Sequence, residues 1–313
     1  MGDGLGETID ILMAVYNGER YVQKQVDSIL GQTYRNWRLI IQDDGSTDHT
    51  IDLLRPYAQA YPERIFVYQR EENSGAAYLN FYSMLPLSSS RYVMFCDHDD
   101  VWMPDKIECT WQEMKRLEKE NKGRPCLVHT DLKVVGEDLS VLAPSMVRRQ
   151  KLNPYASFRQ IMVQNVVTGC TMMVNRSLLD MVEGVPKNSV MHDWWFALIA
   201  AAFGRIGYVD RPTILYRQHG DNQVGAKDAG SLAYNMERLK DQKGARQVLY
   251  DTCIQAGEFL RTYEKRLSPK QKEWLSVYRD LPKQGKCRRI FLLFRYRFWK
   301  KGFLRKLGQM AFI

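Results

Sequence analysis

No apolar run in this 313-residue chain approaches the ~20 residues needed to span a bilayer, so no membrane-crossing helix is expected. Cysteine is sparse and scattered: Cys96, Cys109, Cys126, Cys170, Cys253 and Cys287 form no Cys-x-x-Cys pair. That spacing argues against a zinc site or a disulfide framework and suits a reducing cytoplasm. Internal repeats and low-complexity tracts are missing. The opening Met1-Gly2-Asp3-Gly4-Leu5-Gly6 is short, acidic and glycine-rich, which is not the pattern of a signal peptide. Position 6 is Gly where a myristoylation signal wants Ser or Thr. Most of the chain also lacks net charge. The formal total is +9, yet Leu281 to Ile313 holds ten Lys or Arg and no Asp or Glu, which leaves −1 for residues 1–280. A nearly neutral body excludes a general polyanion-binding surface there, and nucleic acid is not an expected partner.

What is present is an alternation of strand-like and helix-like segments from Ile9 to about Asn121. Ile9–Val15, Trp37–Gln42, Ile65–Tyr68 and Tyr92–Cys96 are short apolar runs with strand formers. Val22, Val26, Ile29 and Leu30 mark one face of a helix, and Thr47 or Asp48 can cap the next, which carries Ile51, Leu53, Leu54 and Tyr57. Ala76–Leu85 and Lys106–Glu120 follow as helices, with Pro104 placed for a first turn. This alternation predicts an α/β fold with a mostly parallel, doubly wound sheet. In such sheets ligands bind outside the carboxyl ends of the strands.

Acidic clusters stand at those ends. Asp97-His98-Asp99-Asp100 follows Tyr92–Cys96, and Asp43-Asp44-Gly45-Ser46-Thr47-Asp48 follows the second strand. Carboxylates crowded at one strand exit repel one another unless a cation lies between them. Hard oxygen ligands at that spacing suit Mg²⁺ or Mn²⁺ bridging to substrate phosphates. Turns and helix caps also favour Asp, so either cluster alone is a weak signal.

The set of motifs is more specific. The first strand with Tyr16-Asn17-Gly18, the Asp43-Asp44-Gly45-Ser46 turn, the Asp97-x-Asp99-Asp100 cluster and His192-Asp193-Trp194-Trp195 resemble, in order and spacing over about residues 8–225, the family 2 glycosyltransferases of GT-A fold. The resemblance implies a catalytic domain over 1–225, with a nucleotide-binding half at about 8–121 and an acceptor half at about 122–225. A helical, basic extension fills 226–313. It also implies nucleotide-sugar contacts from Ala14, Tyr16, Asn17, Asp43, Asp44, Asn73, Gly75, Asp97, His98 and Arg217, and a metal held by Asp99, Asp97 and His219. A carboxylate at Asp43 or Asp44 can accept the N3–H of uracil or thymine. Asp193 is the expected general base, because attack by an acceptor hydroxyl needs a proton acceptor within reach. The family's usual pair at that point is Glu-Asp, whereas this chain has His192-Asp193. His192, Trp194 and Trp195 are candidate sugar or acceptor contacts.

Taken with Tyr216-Arg217-Gln218-His219-Gly220-Asp221-Asn222, these motifs look most like the rhamnosyltransferase branch. That implies inverting transfer of L-rhamnose from dTDP-β-L-rhamnose to a surface polysaccharide or its lipid-linked precursor. The alternatives are a UDP-hexose or UDP-N-acetylhexosamine donor, or a non-catalytic sugar-nucleotide-binding scaffold. The tail, Lys286 to Lys301, interleaves basic with aromatic and aliphatic residues. It reads either as a helix lying on an anionic membrane, which would place the protein at the inner face of the cell membrane, or as a helix docked on the body or on a second copy of the chain.

Overall fold

Parallel strands covered on both faces are built from near-continuous apolar sequence, and β1 (Ile9–Val15) is buried at all seven positions. It lies between β2 (Trp37–Asp43) and β4 (Tyr92–Asp97), parallel to both, and β3 (Ile65–Gln69) extends β2 in the same sense. Helices α1 (Val22–Leu30), α2 (Thr50–Ala60) and α3 (Ala77–Met84) make the crossovers. The computed structural model describes residues 6–220 and 242–313. The Asp221-Asn222 end of the 216–222 motif and the expected boundary at 225 lie outside the described residues.

Beyond β4 the sheet becomes mixed, although β6 and β9 pair in parallel. β5 (Val101–Trp102) precedes α4 (Lys106–Asn121), followed by β6 (Cys126–Val135), β7 (Val141–Ala143), β8 (Met172–Asn175) and β9 (Arg205–Arg217). The order is β3-β2-β1-β4-β8-β6-β9-β5, with β7 added on β6. Strand β8 runs antiparallel between β4 and β6, and β5 runs antiparallel to β9. The mostly parallel, doubly wound sheet expected from the alternation is therefore corrected to a mixed sheet. The cause is β8: four residues, entered through a tight turn at Gly169–Thr171, carry no periodicity that would reveal their direction. The β6–β9 pairing slips where Asp131 faces Pro212, because proline has no N–H to give the ladder.

The chain forms two compact units. The first holds Met1–Met146, Thr168–Val185 and Arg205–Gly225, and therefore the whole sheet. The second holds Val147–Val167, Pro186–Gly204 and Ala226–Ile313. Its described helices are α5 (Phe158–Val163), α6 (His192–Phe203), α7 (Gln242–Tyr263), α8 (Pro269–Arg279), α9 (Lys286–Tyr296) and α10 (Phe303–Phe312). An aromatic core binds them: Trp195 meets Phe259 at 5.3 Å and Tyr263 at 6.1 Å, and Phe203 stacks on Phe259 at 6.2 Å. Helix α8 starts at a capping box in which Ser268 and Gln271 satisfy each other's backbone donors, with Pro269 at the first turn. Among the described residues no helix is long and apolar enough to cross a membrane.

Candidate active site

Register alone brings the acidic clusters of the first unit to one edge. Val15 pairs with Asp43, Ala14 with Asp97, and Asp43 with Gln69, so β1 to β4 end together. The turn after β1 is tied to the turn after β2 by a series of hydrogen bonds. Asn17 sits in the left-handed region (φ 46°) and donates its backbone N–H to Ser46 Oγ at 2.8 Å, while its Oδ1 accepts from the Thr47 N–H at 2.9 Å. Gly18 N–H reaches Thr50 Oγ1 at 2.8 Å, and Glu19 N–H reaches Asp48 at 3.1 Å. A Cβ at Gly18 would stand 2.7 Å from His98 Cδ2, so a larger residue there would displace that ring. Tyr16 is 46% exposed at this rim, and Ala14 is buried beneath it.

Both carboxylates after β2 are buried and already hold protein donors. Asp43 accepts from the Ser46 N–H at 3.0 Å. Asp44 accepts from Ser74 N–H at 2.9 Å and Ser74 Oγ at 2.6 Å, and pairs with Arg70 at 3.2 Å. Asn73 donates to the Asp44 carbonyl at 2.9 Å and accepts from Gly75 N–H at 2.7 Å, with Gly75 at φ 86°. The Asn73-Ser74-Gly75 loop thus braces the β2 end.

Around the third cluster the four residues differ in setting. Asp97, His98 and Asp99 are part-exposed, whereas Asp100 is fully buried and accepts the Arg217 N–H at 3.0 Å. His219 Nε2 lies 2.8 Å from Asp99 Oδ2, and Arg217 Nε donates to the Asp99 carbonyl at 2.8 Å. Arg217 lies over the Tyr21 ring at 4.7 Å, and Tyr21 also stacks against His219 at 4.9 Å. Tyr21 in turn donates to Glu137 at 2.9 Å, and Glu137 also binds Arg20 and, through its carbonyl, Arg217. Tyr21 and Glu137 escaped the sequence reading. Glu137 is 80 or more positions from each of these partners, so no local spacing could have flagged it.

Beneath this edge lies a buried polar floor. One donor atom each from Asp97, Asp100 and Cys170 falls within a 4.8 Å set. Burial, with the Asp99 and Asp97 charges, pushes Asp100 well above the ordinary carboxylate range, against the pull of the Arg217 N–H and the Cys170 thiol. Burial likewise raises the Cys170 thiol. Lys106, wholly buried at the start of α4, is pushed down to about 8 by burial and lies 4.6 Å over the Trp102 ring. The set gathered by geometry, Asp97-Asp100-Cys170, differs from the expected Asp97-Asp99-His219. A divalent cation suits the carboxylate oxygens of either set, and the imidazole nitrogen of His219 suits Mn²⁺.

The remaining predicted residues belong to the second unit. Asp193 lies in the first turn of α6 with 9% exposure, and His192 beside it is buried, edge-on to Phe196 at 6.0 Å. Trp194 donates its indole N–H to the Ile161 carbonyl. Trp195, expected as a sugar platform, has no exposed face: it is 0% accessible and belongs to the aromatic core. Its place on α6 points it inward, a distinction that two adjacent tryptophans do not show in sequence.

Residues 10–122 match the model of the family described as glycosyl transferase family 2. The dTDP-rhamnosyl transferase RfbG of Shigella flexneri is 29% identical over 248 residues, covering 75% of this chain and 81% of that protein. An uncharacterized glycosyltransferase of a Nostoc species is 32% identical over 261 residues, covering 80% of this chain and 76% of that one. Among solved structures, residues 1–349 of S. aureus TarS in complex with UDP-GlcNAc superpose with a TM-score of 0.56. They share 18% identity and cover 87% of this chain and 70% of that one, a likeness that concerns the fold alone. The chain is a glycosyltransferase and belongs to family 2, with the GT-A fold.

Proposed function

We propose that the enzyme transfers a hexose from a pyrimidine nucleoside diphosphate to a glycan or lipid-linked glycan acceptor, with inversion at the anomeric carbon. The observation that carries this reading is the shared edge in the first unit, where the β2 and β4 carboxylates end in register and Asp99 meets His219 at 2.8 Å. Asp43 or Asp44 takes the N3–H of the base. Asp99, Asp97 and His219 would hold the cation, while Arg217, buried and bonded to the Asp99 and Glu137 carbonyls, positions the Asp99 segment instead of meeting the diphosphate as expected. When bound, a divalent cation offsets the charge that develops on the leaving diphosphate. Asp193, in the first turn of α6, accepts the proton of the attacking hydroxyl. His192, buried beside it, acts through packing rather than as a ligand to substrate.

A UDP-linked hexose or N-acetylhexosamine takes first place as donor. It is supported by the likeness in fold to S. aureus TarS, which was solved in complex with UDP-GlcNAc. The second reading, dTDP-β-L-rhamnose, is supported by the similarity to the S. flexneri rhamnosyl transferase.

Thermal unfolding of the full chain with UDP, dTDP or GDP, each with Mn²⁺, Mg²⁺ or EDTA, tests the proposal. Stabilisation by UDP that depends on metal supports the first donor, and a preference for dTDP moves the assignment to rhamnose. Stabilisation by GDP alone, or equally with EDTA, overturns the base and metal assignments.

A further inference from the structure

The last two helices settle how the basic, aromatic tail is used within its own unit. One side is an anchor: Leu293 and Phe298 are 0% accessible, and Phe298 meets Tyr278 edge-on at 5.2 Å and stacks on Tyr296 at 5.5 Å. Arg289 is committed to the carbonyls of Gln284 and Pro282. The other side is left bare. Phe291 is 54% exposed, Phe294 60% and Phe303 75%. Arg288, Phe291 and Phe294-Arg295 recur at helical spacing, so they share one face of α9. Arg288 lies 5.5 Å over the Phe291 ring, and Phe294 meets Trp299 edge-on at 4.8 Å. Lys301, Lys306 and Leu307 add exposed cationic and apolar groups alongside Phe303.

We infer that this face of α9 and α10 docks on the surface of an anionic lipid bilayer. Half-exposed phenylalanines flanked by cations, with no acidic residue from Leu281 onward, match the chemistry of a headgroup layer over acyl chains. The helices are 11 and 10 residues long, too short to cross the hydrocarbon, so they lie along the surface. A second copy of the chain is a poor occupant. A symmetric contact would set the cations flanking this face against one another, with no acidic residue in the tail to offset them. The inference does not rest on the donor or on the catalytic residues, and it is measured without nucleotide.

The test is co-sedimentation of the full-length protein with vesicles of phosphatidylglycerol and phosphatidylcholine, or of phosphatidylcholine alone, at physiological salt. Binding is expected to the anionic vesicles only. The triple variant Phe291→Ser, Phe294→Ser, Phe303→Ser should reduce partitioning by about tenfold or more, as should Arg288→Glu with Lys306→Glu. These side chains are exposed, so circular dichroism and the unfolding midpoint should stay close to wild type, which separates lost docking from lost fold. Equal binding to neutral vesicles would overturn the inference. So would triple-variant binding as tight as wild type, or a dimer in sedimentation velocity that the phenylalanine changes dissociate without any vesicle binding. Retention on single-stranded DNA but not on anionic vesicles would assign the face to nucleic acid instead.

Discussion

A drop in pH should unfold this protein partly through one histidine. His192 is 3% exposed at the start of α6, and burial pushes its imidazole from 6.5 down to about 3. In the unfolded chain the ring is hydrated and titrates near its ordinary value. Between those two points the unfolded chain binds a proton that the folded one does not. This part of the stability is therefore whole above about pH 6.5 and is lost progressively as the pH falls toward 3. At about 1.36 kcal/mol per pH unit, the interval amounts to about 5 kcal/mol, of which roughly 2 kcal/mol is gone by about pH 5. The perturbation is His192→Phe, which removes the titrating group and keeps an aromatic ring. Urea unfolding of both proteins at about pH 8 and pH 5 gives each one's loss on acidification, and the wild-type loss should exceed the variant's by roughly 2 kcal/mol. Taking this difference cancels the carboxylates common to both proteins and any overpacking cost of the larger ring. Equal losses would refute the reasoning, as would a His192 ring resonance titrating near pH 6.5 in the folded protein.

Asp99→Ala should cut metal-dependent donor binding by on the order of 100-fold, read by calorimetry with Mn²⁺ and with EDTA; unchanged affinity in both would remove Asp99 as a ligand. Asp193→Asn should leave donor binding intact while lowering turnover by about 10²–10⁴-fold in a glycan transfer assay, and near-wild-type turnover would remove it as the base. Gly18→Ala places a Cβ 2.7 Å from the His98 ring, so His98 must move. The expected cost is about 1–3 kcal/mol of stability with weaker donor binding, and unchanged melting and affinity would show that the turn accommodates the methyl freely.

Much of the first unit was legible in the sequence because its information is local. Each run from Ile9–Val15 to Tyr92–Asp97 is apolar enough to be a parallel strand, and the first three are each followed by a helix that brings the chain back. Carboxylates written at the ends of such strands must share one edge, as the pairing of Val15 with Asp43 and of Ala14 with Asp97 shows. The ordering of motifs was likewise enough to identify the glycosyltransferase family.

Folding decided what depends on partners distant in sequence. Strand β8 runs antiparallel because of where the intervening chain returns it, not because of anything in Met172–Asn175. Cys170 joins Asp97 and Asp100, and Tyr21 with Glu137 braces Arg217 and His219, across separations that no periodicity spans. Trp195 became core and Phe291 remained bare for the same reason: hydrophobicity states that a side chain favours leaving water, while only the packed neighbours determine whether it can. The sequence by itself determined the strands, the acidic edge and the family. The tertiary structure decided the sheet's mixed direction, which carboxylates are buried, and which aromatic residues of the tail are left for a surface, because each of these is set by contacts between segments rather than within one.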